Sequence, residues 1–122
     1  MVTLLLSAAL ASEPTAAFTA CMSAATNNHA MIGCASEEHA RQDTRLNTVY
    51  KALIARFDAT GAALLKKAEL AWITFRDAEC ASAADVMRDG SAAPLITASC
   101  MADMTRERAD TLDARLKVET GL

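Results

Sequence analysis

Leu46-Asn-Thr-Val-Tyr50-Lys-Ala-Leu-Ile54-Ala-Arg-Phe57-Asp-Ala-Thr-Gly61-Ala-Ala-Leu-Leu65 is the stretch in which the fold becomes legible. Up to Phe57 the apolar residues Leu46, Val49, Tyr50, Leu53, Ile54 and Phe57 recur at intervals of three and four, the repeat of one helix face. Carried back to Ser36, the same pattern leaves Glu38, Arg41, Arg45 and Lys51 pointing outward. Asp58 to Gly61 then interrupts it. Gly61 can take a left-handed turn conformation, and Asp58 or Thr60 is placed to cap a new helix. The stretch therefore predicts a helix, a tight turn and a second helix.

Downstream, a helix from about Ala62 to Ala84 carries Leu65, Ala68, Trp72, Phe75 and Glu79 on one stripe, flanked by Leu64, Ala71 and Ala78. Gly90 and Pro94 break the pattern, so the segment from Arg88 reads as the one long loop. A third helix is expected from about Leu95 to Val118, with Met101, Met104, Arg108, Leu112 and Leu116 near one face. Upstream, Thr26 is placed to cap a short helix ending at Gly33.

Composition agrees. Of 122 residues, 52% are hydrophobic but only 4% aromatic, so the apolar mass is mostly Ala, Leu and Met, which favour helices. Four glycines and two prolines are too few for the hairpins of an all-β domain. The expected fold is all-α: a small bundle built on a long antiparallel helical hairpin plus a third helix. Its length suits one domain, residues 21–118, after a flexible segment over 12–20 and before a frayed tail over 119–122.

Met1 to Ala11 is an uncharged apolar run closing in Ala9-Leu10-Ala11, the small-x-small pattern that precedes a signal peptidase cut. It is too short to span a membrane, which takes about 20 apolar residues. It also lacks the usual positive n-region, so it reads as the remnant of a signal whose start lies further upstream, or as an apolar tail. Phe18-Thr19-Ala20 before Cys21 raises lipidation, but Glu13 and Pro14 separate that cysteine from the run.

Four cysteines behind such a segment read as a disulfide framework, for which three pairings exist. No C-x-x-C occurs and His29 and His39 stand apart from any ligand cluster, so zinc and other metals are not expected. Cys80 ends one predicted helix and Cys100 begins the next, so joining them would close that connection. Cys21 with Cys34 would pin the N-terminal arm. These are the pairings expected, and periplasmic or secreted localisation follows from them.

Leu65-Lys-Lys-Ala-Glu-Leu-Ala-Trp72-Ile-Thr-Phe-Arg76-Asp77-Ala-Glu-Cys80 resembles the signature of the LprI-like lysozyme inhibitor domain, a family of small exported bacterial proteins. Asp43, Leu46-Asn47 and Tyr50 fit that family's D-x-x-L-N-x-x-Y, and Cys21 and Cys34 its N-terminal cysteine pair. Gly90-Ser91, Pro94, Cys100 and Thr105-x-x-Arg108-x-x-x-Leu112 fit the remainder in order. Two departures add negative charge: Glu69 where the family usually has Gln, and Asp89 where it usually has Gly. The resemblance implies a helical, disulfide-stapled exported domain, some members of which inhibit lysozyme by binding it.

The residues themselves argue against catalysis. Glu69 and Asp77 sit eight apart on one helix, about 12 Å along the axis, too far for either glycosidase geometry. No nucleophile elbow or phosphate loop is present. With a net charge of −3 and interspersed signs, no basic stripe exists to track nucleic acid. No cofactor is expected, and oligomeric state is not legible.

Candidate partner-binding residues are Asp89, Gly90, Ser91 and Pro94 in an expected Arg88 to Ser99 loop, with Glu69, Arg76 and Asp77. The partner would be lysozyme or another peptidoglycan-cleaving enzyme. Asp43, Leu46, Asn47, Tyr50, Trp72, Thr105, Arg108 and Leu112 are expected to serve the fold, with Asn47 as a buried amide and Arg76 paired to an acid of a neighbouring helix. The alternative is a non-enzymatic structural or accessory cell-envelope protein that binds no lysozyme.

Overall fold

The computed structural model describes residues 11–121, which form four helices: α1 (Ala16–Ala24), α2 (Asn28–Ile54), α3 (Ala59–Asp85) and α4 (Ala93–Thr120). The apolar run before Ala11 and the final Leu122 lie outside the described residues. Both disulfides pair as expected, Cys21 with Cys34 and Cys80 with Cys100, and no described cysteine is free. Cys21 is thus consumed as a bridge sulfur and is no lipidation site.

Several boundaries differ from the sequence pattern. The short helix to Gly33 and the helix from Ser36 are one, because Asn27 rather than Thr26 caps it, its side-chain oxygen accepting from Ala30 N at 2.8 Å. Asp58 caps α3 by accepting from Gly61 N at 2.8 Å, which places Gly61 inside the first turn of α3 rather than in a left-handed bend. Space beside Gly61 is tight: an added Cβ would lie 3.1 Å from Phe57 Cβ, so Phe57 would have to give by a few tenths of an ångström. Glu119 and Thr120, expected in the frayed tail, are the last residues of α4, which closes on Gly121.

Residues 12–20, expected as a flexible lead-in, hold half of α1 and two anchors. Thr15 caps α1 through its hydroxyl, and Glu38 of α2 accepts from both Thr15 N (2.7 Å) and Thr15 Oγ1 (2.6 Å). Glu38, predicted to face outward, is therefore only 1% exposed. Its burial became possible because α1 supplies the donors that an isolated buried carboxylate would lack.

The closest helix pair is not a consecutive one. α2 and α4 approach along their lengths, and cross-links from Asn28 to Ser91, Arg45 to Asp110 and Arg56 to Glu119 keep a nearly constant offset of 63, 65 and 63 residues. A constant offset means that the two helices run parallel. α4 allows the approach because its buried positions Ala102, Thr105 and Ala109 are small.

α3 runs antiparallel to α4, joined by the Cys80 to Cys100 bridge and by Arg108 to Glu69. It packs on α4 and barely approaches the α2 backbone. Leu46, Leu53, Leu65, Ala109 and Leu112 form the core, with Val49, Tyr50, Ile54, Phe57, Trp72 and Leu116 packed around it.

Candidate functional site

Because α3 leans on α4, a groove of about 280 Å³ opens between α2 and α3. Asp43, Leu46, Asn47 and Tyr50 line it from α2, spaced so that they share one helix face. Lys66, Glu69, Leu70, Trp72, Ile73 and Arg76 line it from α3. The D-x-x-L-N-x-x-Y motif and the Trp72-to-Arg76 motif thus face one another across a single concavity.

Within the groove the residues divide by burial. Leu46 is buried and belongs to the core, as do Thr105 and Leu112 on α4. Asn47 is exposed, and its amide donates only to Asp43 Oδ2, at 3.5 Å; the expected buried amide is not found. Leu70 is 57% exposed and Ile73 borders the same opening, so apolar surface stands at the rim.

Trp72 is half-buried, with the Arg76 guanidinium 5.0 Å and the Arg108 guanidinium 5.9 Å from its ring centroid. Both cations lie within cation–π range. Arg76 does not pair with an acid of a neighbouring helix. Its Nε and Nη2 reach Asp77 Oδ1 at 3.0 Å on the same helix, and Nη1 donates to Thr105 Oγ1 of α4 at 3.4 Å. The neighbour supplies a hydroxyl, so the carboxylate comes from the exposed next residue.

Glu69 is 9% exposed and accepts from Arg108 Nε at 3.0 Å. Glu69 and Arg108 thus close an ion pair between α3 and α4. The pair engages the Glu69 carboxylate in holding two helices together.

His39, which in the sequence stood apart from any ligand cluster, sits one turn before Asp43 on α2. Its Nε2 is buried without a hydrogen-bond partner. Burial, then the positive charge of Arg76, press its pKa below the ordinary imidazole value, against the pull of Asp43 and Asp77. Lys66, Leu70 and Ile73 were not singled out in the sequence, and His39 was weighed only as a metal ligand and set aside. The signal was present as a second stripe on α2, His39, Asp43, Asn47 and Tyr50, hidden behind the stronger apolar face.

The other predicted patch is smaller than expected. The irregular connection covers only 86–92, because Pro94 sits in the first turn of α4 rather than preceding the helix, its fixed φ and missing N–H suiting that turn. Asp89 adopts a left-handed φ of 63°, and Gly90 N donates to Met87 O at 2.8 Å. Ser91 O accepts from Asn28 Nδ2 at 2.8 Å, and Arg88 forks onto Asp85. The loop is short and tied down, and Ser99 is fully helical. Asp77 and Asp89 are exposed, Glu69 is not.

Among the described residues no group of three or more His, Cys, Asp or Glu could hold a metal ion, and no helix is long and apolar enough to cross a membrane.

A parallel pair of long helices, a third helix returning between two bridges, and shared motif residues along one groove define a small disulfide-stapled helical domain. The model of the family Lysozyme inhibitor LprI matches residues 21–112, from the first bridged cysteine to the buried Leu112. The chain belongs to that family. An uncharacterized protein of Rhizobium meliloti (strain 1021) is 34% identical over 88 residues, covering 62% of this chain and 63% of that protein. The match thus spans less than two thirds of that relative. No solved structure matches the chain.

Proposed function

We propose that the chain is an exported, non-enzymatic binding protein that inhibits lysozyme or a related peptidoglycan-cleaving enzyme, and that it engages its target along the α2–α3 groove. The observation that carries this reading is the position of Asp43, Asn47, Tyr50, Trp72 and Arg76. Residues that serve only the fold have no need to converge on an open concavity, yet these do. Tyr, Trp and Arg are also the side chains that most often dominate binding energy at interfaces. The exposed Leu70 and Ile73 add apolar area at the rim.

Asp77 extends the groove on the α3 side, and the turn that holds Asp89 to Ser91 follows the end of α3, which lies about 14 Å from Arg76 along the helix at a rise of 1.5 Å per residue. One interface of standard size, roughly 800 Å² per partner, reaches both. The family match and two disulfides support export and inhibition as the class of function.

The test is lysozyme turnover of a cell-wall substrate at micromolar inhibitor, with Asn47→Ala, Leu70→Asp and Ser91→Ala variants. Inhibition by the parent chain, weakened at least about tenfold by Asn47→Ala or Leu70→Asp at unchanged melting temperature, is the expected result. Absence of inhibition across lysozyme types sinks the function. Inhibition that survives both groove variants but not Ser91→Ala moves the site to the loop.

A further inference from the structure

On the face of the bundle away from α3, a groove of about 670 Å³ surrounds the first described residues. Ser12 N donates to Asp110 Oδ2 at 2.9 Å, and Ser12 Oγ donates to Asp110 Oδ1 at 2.7 Å. Arg45 Nη2 holds the same Oδ1 at 2.7 Å, while its Nη1 reaches Ser12 Oγ at 3.4 Å. One carboxylate and one guanidinium, on the two parallel helices, thus grip a single residue at both its backbone nitrogen and its hydroxyl. Three residues on, Glu38 grips Thr15 in the same two-point manner.

Ser12 is the residue that comes directly after Ala9-Leu10-Ala11. We infer that Arg45 and Asp110 form a socket for the α-ammonium group created when the chain is cut between Ala11 and Ser12. Hydrolysis of that peptide bond consumes one water and leaves a carboxylate on Ala11 and an amine on Ser12, which takes up a proton at neutral pH. The nitrogen that meets Asp110 as a neutral amide then meets it as a cation.

The charges around it favour that change. From α4, Glu107, Asp110, Asp113 and Lys117 line the groove, and from α2, Arg45. Three carboxylates against two cations leave one negative charge, which the new ammonium balances. Its two remaining N–H groups open into the groove, where water can satisfy them. Cleavage thereby strengthens an anchor between the N-terminal arm and the α2–α4 pair, so processing and stability are coupled. The socket shares only the premise of export with the functional proposal, and its readouts involve no lysozyme.

The test exports the full chain from a bacterium, with a few basic residues ahead of Met1 to supply an n-region, and reads the intact mass. The expected product begins at Ser12 with both disulfides formed. A product beginning at any other residue overturns the proposal.

Melting temperature is then followed from pH 6 to pH 10. An amine whose pKa is raised by Asp110 contributes fully below its ordinary value near 8, and its contribution fades as pH rises through the raised value. The exported protein should lose about 2–5 °C across that range, a loss absent from exported Asp110→Asn. Equal pH slopes for the two overturn the socket. Full-length 1–122 chain, oxidised and left uncut, should show the flat profile too; a slope equal to that of the cut protein counts against the role of the amine.

Discussion

Asp89 occupies a backbone conformation that most side chains avoid. Its φ of 63° is left-handed, where Cβ crowds the following carbonyl, and aspartate is among the few residues with a side chain that enter it without severe cost. Gly90, its neighbour, is constrained differently, since an added Cβ would lie 3.0 Å from Met87 O. Asp89→Gly should therefore raise stability by about 0.5 kcal/mol, the relief of the strained residue offset in part by the freer unfolded chain. A urea midpoint that falls instead would show that the aspartate side chain holds the turn. Neither demand could be read from the sequence, because Gly90 looked like the turn-forming residue and Asp89 like a charge added to a binding loop.

The helices differ in what keeps them in place, which separates the two bridges. α1 contributes no fully buried residue, and its attachment rests on the Cys21 to Cys34 bond and the Glu38 contacts with Thr15. Cys80 to Cys100 instead joins α3 to α4 beside the buried Ala84 and Ala102, within the body of the bundle. In the chain-entropy picture each bridge contributes about 3 kcal/mol. Replacing Cys80 and Cys100 by Ser should lower global stability by about that amount. Replacing Cys21 and Cys34 should speed amide hydrogen exchange in α1 ahead of the rest, with smaller change in α2 and α4. Uniform exchange in both variants would mean that α1 unfolds only with the whole.

Across the whole molecule, two carboxylates hold the N-terminal arm to the bundle. Burial raises the pKa of Glu38 and Asp110, but the hydrogen bonds and cations around them outweigh it: Thr15 and Arg41 for the first, Ser12 and Arg45 for the second. Both therefore sit below ordinary carboxylate values when folded. Groups of this kind stabilise fully above the unfolded pKa near 4, and that stability is lost as pH falls through the lower folded value. The share of these two carboxylates should be flat from about pH 7 to 5 and fall below pH 4, while His39, whose pKa is pressed down in the fold, begins to cost stability as pH falls through the ordinary imidazole value of about 6.5. Glu38→Gln should cost about 2 kcal/mol at pH 7, since Thr15 loses a charged acceptor, and should show a shallower acid slope in melts from pH 7 to 3. Equal slopes would place the acid sensitivity elsewhere.

Helix content, a cap at Asp58 or Thr60 and a cysteine framework with two local bridges as its expected pairing were legible in the residues because each is local, although the structure was needed to choose Asp58 and to decide among the three pairings. Periodicity reports one helix face, a cap acts within one turn, and each bridge closes a short connection. The tertiary structure decided which faces meet. α3 and α4 carry apolar residues on more than one side, so periodicity could not tell that α4 would lie parallel on α2 and that α3 would lean away from it. That choice rests on small residues at Ala102, Thr105 and Ala109 fitting a partner more than fifty residues upstream. The same choice buried Glu38 under α1, set Asp110 beside Arg45 and Ser12, and left Asn47 and Tyr50 facing Trp72 across open space. Complementarity between distant surfaces is a property of the folded packing and is written in no single stretch of the chain.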